Sequence, residues 1–209
     1  MRFASSLTRL TVFAIALSLP AACGRADARR DKAVSSSAPA TDAATDGSIY
    51  DVPVSLTDAS GHHLALADLR GHALVAAMLY TSCTSICPRV TEDMKAVERA
   101  LPARIAGDVT FAMFSLDPGR DTPSALQSFA ALHNLDSRWQ LFASSENDVR
   151  TMAALFGVKY VREESGEFAH SATIVVIDPS GVVRYRQVGL GDTPNPLVDA
   201  ITASVTAGR

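Results

Sequence analysis

Ala73-Leu-Val-Ala-Ala-Met-Leu79, then Tyr80-Thr-Ser-Cys83-Thr-Ser-Ile-Cys87-Pro88, then Arg-Val-Thr-Glu-Asp-Met-Lys-Ala-Val-Glu-Arg-Ala-Leu101 is the stretch on which the fold turns. The unbroken apolar run reads as a buried strand. Downstream, Val90, Met94, Val97 and Leu101 recur at helical spacing, while Glu92, Asp93, Lys95, Glu98 and Arg99 fall largely on other faces, which predicts an amphipathic helix over residues 88–101. Pro88 suits the first helical position, where its missing N–H is not needed. That would place Cys87 at the helix N-terminus, where unpaired N–H groups and the positive end of the dipole favour a thiolate and lower its pKa. Four residues make about one helical turn, so both sulfurs can point the same way. Such a pair can close a disulfide or hold one soft metal ion.

Upstream, residues 1–22 carry Arg2 and Arg9, an apolar run from about Leu10, and small residues before Cys23, the pattern of a signal peptide. The run falls short of the roughly 20 residues a membrane span needs. Leu19-Pro-Ala-Ala-Cys23 is similar to a bacterial lipobox, with its leucine one place upstream of the usual position. Cys23 is therefore the expected lipidation site, tethering the chain to a membrane on the periplasmic side through more than one acyl chain. Residues 23–47 are rich in Ala, Ser, Thr and Asp and too poor in large apolar groups to order themselves, so they read as a flexible tether. Without Arg2 and Arg9 the chain keeps 17 basic residues against 22 acidic ones. That balance argues against nucleic acid as a partner.

Residues 48–209 suit one domain. Residues 52–58 and 63–67 flank Ala59-Ser-Gly-His62 and predict a hairpin. Strands are expected at residues 109–116 and 139–142, and helices from Pro123 to about His133, capped by Thr122 or Asp121, and over residues 146–156. Residues 172–177 and 182–188 pair across Asp178-Pro-Ser-Gly181, and a last helix follows Pro196. Strands alternating with helices, closed by a hairpin and a helix, describe an α/β domain with a mixed sheet covered on both faces.

Three ordered motifs carry a resemblance: Tyr80-Thr-Ser-Cys-Thr-Ser-Ile-Cys-Pro88, Phe114-Ser-Leu-Asp-Pro-Gly-Arg-Asp-Thr-Pro123, and His170-Ser-Ala-Thr-Ile-Val-Val-Ile-Asp-Pro-Ser-Gly181. Over roughly residues 52–188 the chain resembles the thioredoxin-like superfamily and, within it, the Sco/SenC family of copper-binding proteins that help assemble cytochrome c oxidase. The resemblance implies a copper site of two thiolates and one imidazole, here Cys83, Cys87 and His170. Asp117, by its own position, either ends a strand or supports that site from outside the ligand set. The resemblance also implies delivery to the copper-bearing subunit of the oxidase or to another periplasmic copper protein. Many members have Pro-Asp after the first cysteine, where this chain has Thr84-Ser85. The donor set is chemically apt, since thiolates select Cu(I) and imidazole suits copper in either oxidation state.

Other readings remain beside it. A staple between Cys83 and Cys87 closes too small a loop to stabilise much. A thiol-disulfide oxidoreductase with Cys83 and Cys87 as its redox pair typically has two residues between the cysteines and a proline at the start of a following strand. Here three residues intervene, and no proline lies between Pro123 and Pro179. A peroxiredoxin-like peroxidase needs an activating arginine that the sequence does not identify. His62, His63, His72 and His133 read as ordinary surface or packing residues, and Asp121 as a helix cap.

Overall fold

The computed structural model describes residues 47–207, so the expected signal peptide, Cys23 and all but the last residue of the tether lie outside the described residues. The elements follow one another as β1 (Ser55–Asp58), β2 (His63–Ala65), β3 (Ala73–Leu79), α1 (Ile86–Ala100), β4 (Val109–Ser115), α2 (Pro123–Leu132), β5 (Trp139–Ser144), α3 (Glu146–Phe156), β6 (Tyr160–Arg162), β7 (Phe168–His170), β8 (Thr173–Ile177), β9 (Val183–Val188) and α4 (Asn195–Ala207). Seven strands form one sheet in the order β2-β1-β5-β4-β3-β8-β9. The expected N-terminal hairpin is present as β1 and β2. β3, β4 and β5 run parallel, and β8 joins β3 antiparallel.

Every residue of β3 is buried, as its unbroken apolar run requires of a central strand flanked by helices. The alternation of side chains separates the two layers. Phe111 stacks on Trp139 at 4.7 Å, and the indole N–H of Trp139 donates to Glu98 of α1 at 3.1 Å. Phe114, three positions on and so on the opposite face, stacks on Phe142 at 5.3 Å and meets Phe156 of α3 edge-on at 5.4 Å. Helices thus cover both faces, in keeping with the thioredoxin-like expectation. Among the described residues, no helix is long and apolar enough to cross a membrane.

Three local differences bear on the site. α1 starts two residues earlier than the spacing predicts. Pro88 becomes the third helical residue, a position whose N–H still lacks an intrahelical partner, so proline costs nothing there. Second, Thr122 alone caps α2, accepting from the Ala125 N–H at 3.3 Å, which frees Asp121 for another task. Third, β6 and β7 pair into a separate two-stranded sheet that the sequence reading did not anticipate. Strands of three residues are too short to show a period, and only the Glu163-Glu-Ser-Gly-Glu167 turn, with Gly166 at φ +84°, marks the reversal.

At the β8–β9 turn, Gly181 has φ +95°, and a Cβ there would collide with Ser48 Oγ and the Tyr50 ring. The Ile49 N–H also donates to the Gly181 carbonyl at 2.9 Å, locking the start of the domain onto this turn. Gly181→Ala should therefore destabilise the domain by about 2 kcal/mol or more, through left-handed backbone and overpacking together. Chemical denaturation of the two proteins side by side measures it.

Candidate metal centre

Between the end of β3 and the start of α1 the chain makes a tight loop, with the Cys83 N–H donating to the Tyr80 carbonyl at 3.2 Å. A buried carboxylate holds that loop. Asp121 accepts from the Thr81 hydroxyl at 2.6 Å, from the Thr81 N–H at 3.1 Å, and from the Ser115 hydroxyl at 2.6 Å. Burial pushes the Asp121 carboxyl upward against these hydrogen bonds, with Asp117 adding to the rise. Asp121 is thus a structural anchor of the cysteine loop and not a helix cap. Its place in Asp-Thr-Pro, an ordinary helix start, hid this role.

Both cysteines are free thiols and nearly inaccessible, Cys83 at 5% exposure and Cys87 at 0%. Starting α1 at Ile86 puts Cys87 inside the first turn, from where its N–H donates to Cys83 Sγ at 3.4 Å. Ser85 Oγ approaches the same sulfur at 3.7 Å. The electrostatic consequence reverses the sequence expectation. Burial raises the Cys83 thiol, but donation from the Cys87 thiol, the Cys87 N–H and Ser85 outweighs it and brings Cys83 down from 9.0 to about 7. Cys87 is pushed well above the usual thiol range by burial, then by Cys83 and by Asp121 behind it. The helix terminus does stabilise a thiolate, but on the neighbouring cysteine, because the first-turn N–H points outward from Cys87 toward Cys83.

His170 closes β7 and lies half-buried, 83 residues beyond Cys87, with its Nε2 3.4 Å from Cys87 Sγ. Its Nδ1 stands 3.1 Å from the Ser171 carbonyl oxygen. A carbonyl can only accept, so Nδ1 carries the proton and the Nε2 lone pair faces the sulfurs, a tautomer fixed as it is in many metal-binding histidines. Burial lowers the imidazole's pKa, partly offset by the Ser171 carbonyl, a net shift that favours the neutral ring with its lone pair free to donate. One donor atom from each of Cys83, Cys87 and His170 lies within 4.8 Å of the others. Bonds of about 2.3 Å to sulfur and about 2.0 Å to nitrogen, as zinc makes with these donors, hold ligands about 3.5–4 Å apart. The three residues therefore fit a soft metal ion with little movement.

Tyr80 completes the setting. Its ring packs edge-on against His170 at 6.0 Å and against Phe168 at 5.3 Å. Its hydroxyl meets both the carbonyl oxygen and the N–H of Phe168 at 3.4 Å. An open cleft bordered by Tyr80, Ser82, Ser85, Glu163, Glu167 and His170 reaches the imidazole, while both sulfurs lie beneath its wall. Asp117 lies beside this group and not in it, its carboxylate bonded to Arg120 and Arg162. His62, His63, His72 and His133 take no part in the cluster.

The SCO1/SenC family profile matches residues 42–206. The SCO1 protein homolog of Bacillus subtilis (strain 168) is 29% identical over 150 residues, covering 69% of this chain and 77% of that protein. The structure of a SCO1/SenC family lipoprotein from Bacillus anthracis str. Ames superposes with a TM-score of 0.68 at 24% identity, over 80% of this chain and 99% of that one. The structure of Bradyrhizobium japonicum ScoI with copper bound gives 0.61 at 24% identity, over 73% and 98%. At such identities the two structures speak for the fold.

In the reduced, metal-free protein one thiol should titrate near pH 7 and the other far above. Following thiolate absorbance against pH reads this directly, and Cys83→Ser should remove the lower step. Because the folded thiol loses its proton before the unfolded one, its contribution to stability is fully present above about pH 9 and disappears as pH falls through 7.

Proposed function

This chain belongs to the SCO1/SenC family, and from that premise we propose that it is a copper metallochaperone, binding the ion through Cys83, Cys87 and His170 and passing it to a terminal cytochrome oxidase. Copper is here the cargo. The observation that carries the reading is the convergence of two sulfurs and a lone-pair nitrogen within 4.8 Å from segments far apart in the chain. Two thiolates give the softness that Cu(I) prefers, and the imidazole keeps the site serviceable if the ion is oxidised. Cys83 ionises near neutral pH, so its proton leaves readily when metal enters, and the Cys87 proton is the costlier of the two to remove. The cleft beside His170 offers an approach through which a partner's ligands can replace these one by one.

The acceptor in this proposal is the copper-bearing subunit of cytochrome c oxidase, or another copper protein of the bacterial periplasm. Residues 1–22 act as a signal peptide and Cys23 as the lipid anchor, with residues 23–47 as tether to the domain at 48–209. The Bacillus anthracis relative is a lipoprotein, which favours this arrangement.

A second reading draws on the unequal thiols. A thiolate at Cys83 beside a protonated Cys87 suits disulfide exchange, with Cys83 attacking and Cys87 resolving, so the pair could keep a partner's copper-binding cysteines reduced.

His170→Ala separates the two. Under copper chaperoning, Cu(I) affinity of the reduced protein should fall beyond the ~10–100-fold cost of losing an outer-sphere partner, with thiol exchange retained. Unchanged affinity, measured by competition with a chromophoric chelator, removes His170 from the site. Ordinary catalytic turnover on an unrelated disulfide substrate would favour the oxidoreductase.

A further inference from the structure

The turn between β4 and α2, residues 117–121, touches both segments that supply the site. At its end, Asp121 grips Thr81 in the cysteine loop. At its start, the Asp117 carboxylate, with no exposed surface, binds Arg162 of β6 at 3.1 Å and the Arg120 Nε. Arg120 then spends its other two nitrogens on the hairpin turn, Nη1 on Glu167 at 3.2 Å and Nη2 on the Gly166 carbonyl at 2.9 Å. Its guanidinium also lies 5.9 Å from the centre of the Tyr80 ring. The turn is itself cross-braced, with the Arg120 and Asp121 N–H groups both donating to the Asp117 carbonyl at 3.2 and 2.9 Å.

The β6–β7 hairpin has need of such ties. It lies outside the main sheet's ladder, and an isolated two-stranded ribbon is marginal in water. Tyr80 holds it by two long hydrogen bonds at 3.4 Å. Exposed ion pairs usually contribute little, but this one is seated on a buried carboxylate and uses all three guanidinium nitrogens, a geometry lysine cannot reproduce.

We infer that Arg120, seated on Asp117, is a positioning residue that holds the His170 hairpin at its distance from the two thiols, so that residues 117–121 set the sulfur-to-nitrogen separation of the site. The inference rests on the copper reading above and adds to it the element that sets the geometry. Because the same turn pins the cysteine loop through Asp121, the two halves of the donor set are referred to one rigid segment.

The test is a double-mutant cycle for Cu(I) binding to the reduced full chain. Arg120→Ala should weaken Cu(I) by about 10–100-fold, as loss of a ligand-orienting contact does, with Arg120→Lys in between. In a His170→Ala background Arg120→Ala should cost almost nothing further, because its effect passes through the imidazole. Equal losses in both backgrounds, or none in the first, overturn the inference. Hydrogen exchange of the metal-free protein keeps its failure distinct from failure of the copper reading. Should His170→Ala leave Cu(I) affinity intact, faster exchange confined to residues 160–170 in Arg120→Ala upholds the positioning contact, and unchanged exchange rejects it.

Discussion

A carboxylate removed from water must find donors or be neutralised, and that constraint on Asp121 shapes everything around the site. It is met by the hydroxyl and N–H of Thr81 and the hydroxyl of Ser115. Ser115 belongs to β4 and Thr81 follows β3, two parallel neighbours paired from Ala73↔Val109 to Leu79↔Ser115. Satisfying one buried acid thus fixes the cysteine loop to the stiffest part of the sheet. The positions of Cys83 and Cys87 descend from that anchorage.

The third donor is held quite differently. His170 ends a two-stranded ribbon tied to the body by the ion pairs around Asp117, by the Tyr80 hydroxyl, and by the packing of buried Phe168 and of His170 against the Tyr80 ring. Two sulfurs on a loop pinned to the main sheet thus face an imidazole on a ribbon outside its ladder, and the turn 117–121 touches both. Within the pair, the environments push the two thiols apart, one down to about 7 and the other far up. The lower thiol is the one that receives the helix's N–H, and the higher one is wrapped in apolar core with Asp121 behind it.

Much of this was legible in the residues taken singly. The apolar run 73–79, the spacing of Val90, Met94 and Val97, and the Gly-closed turn at Asp178–Gly181 each announce their element, because a period of two or 3.6 is written locally. The resemblance in three motifs pointed to Cys83, Cys87 and His170 together. The ribbon at Tyr160–His170 stayed hidden because three-residue strands are shorter than any period. Asp121 was misread because the cap position one residue on, Thr122, explained Asp-Thr-Pro completely.

By itself the sequence determined the strands of the main sheet, the four helices, the strand-to-helix turn that carries the two thiols, and an acidic charge balance. Only the tertiary structure decided which thiol is the acidic one, which carboxylate is buried, and that the Nε2 of His170 faces the sulfurs while Nδ1 is occupied by Ser171. The reason is one of range. Periodicity and capping act over a few residues and survive in any reading of the chain, whereas burial of the thiols and of Asp121, and the meeting of Asp121 with Thr81 and of His170 with Cys87, join groups 40 and 83 positions apart that come together only when the sheet closes. Even the short-range partners of Cys83 and of His170 Nδ1 take their direction from that folded backbone.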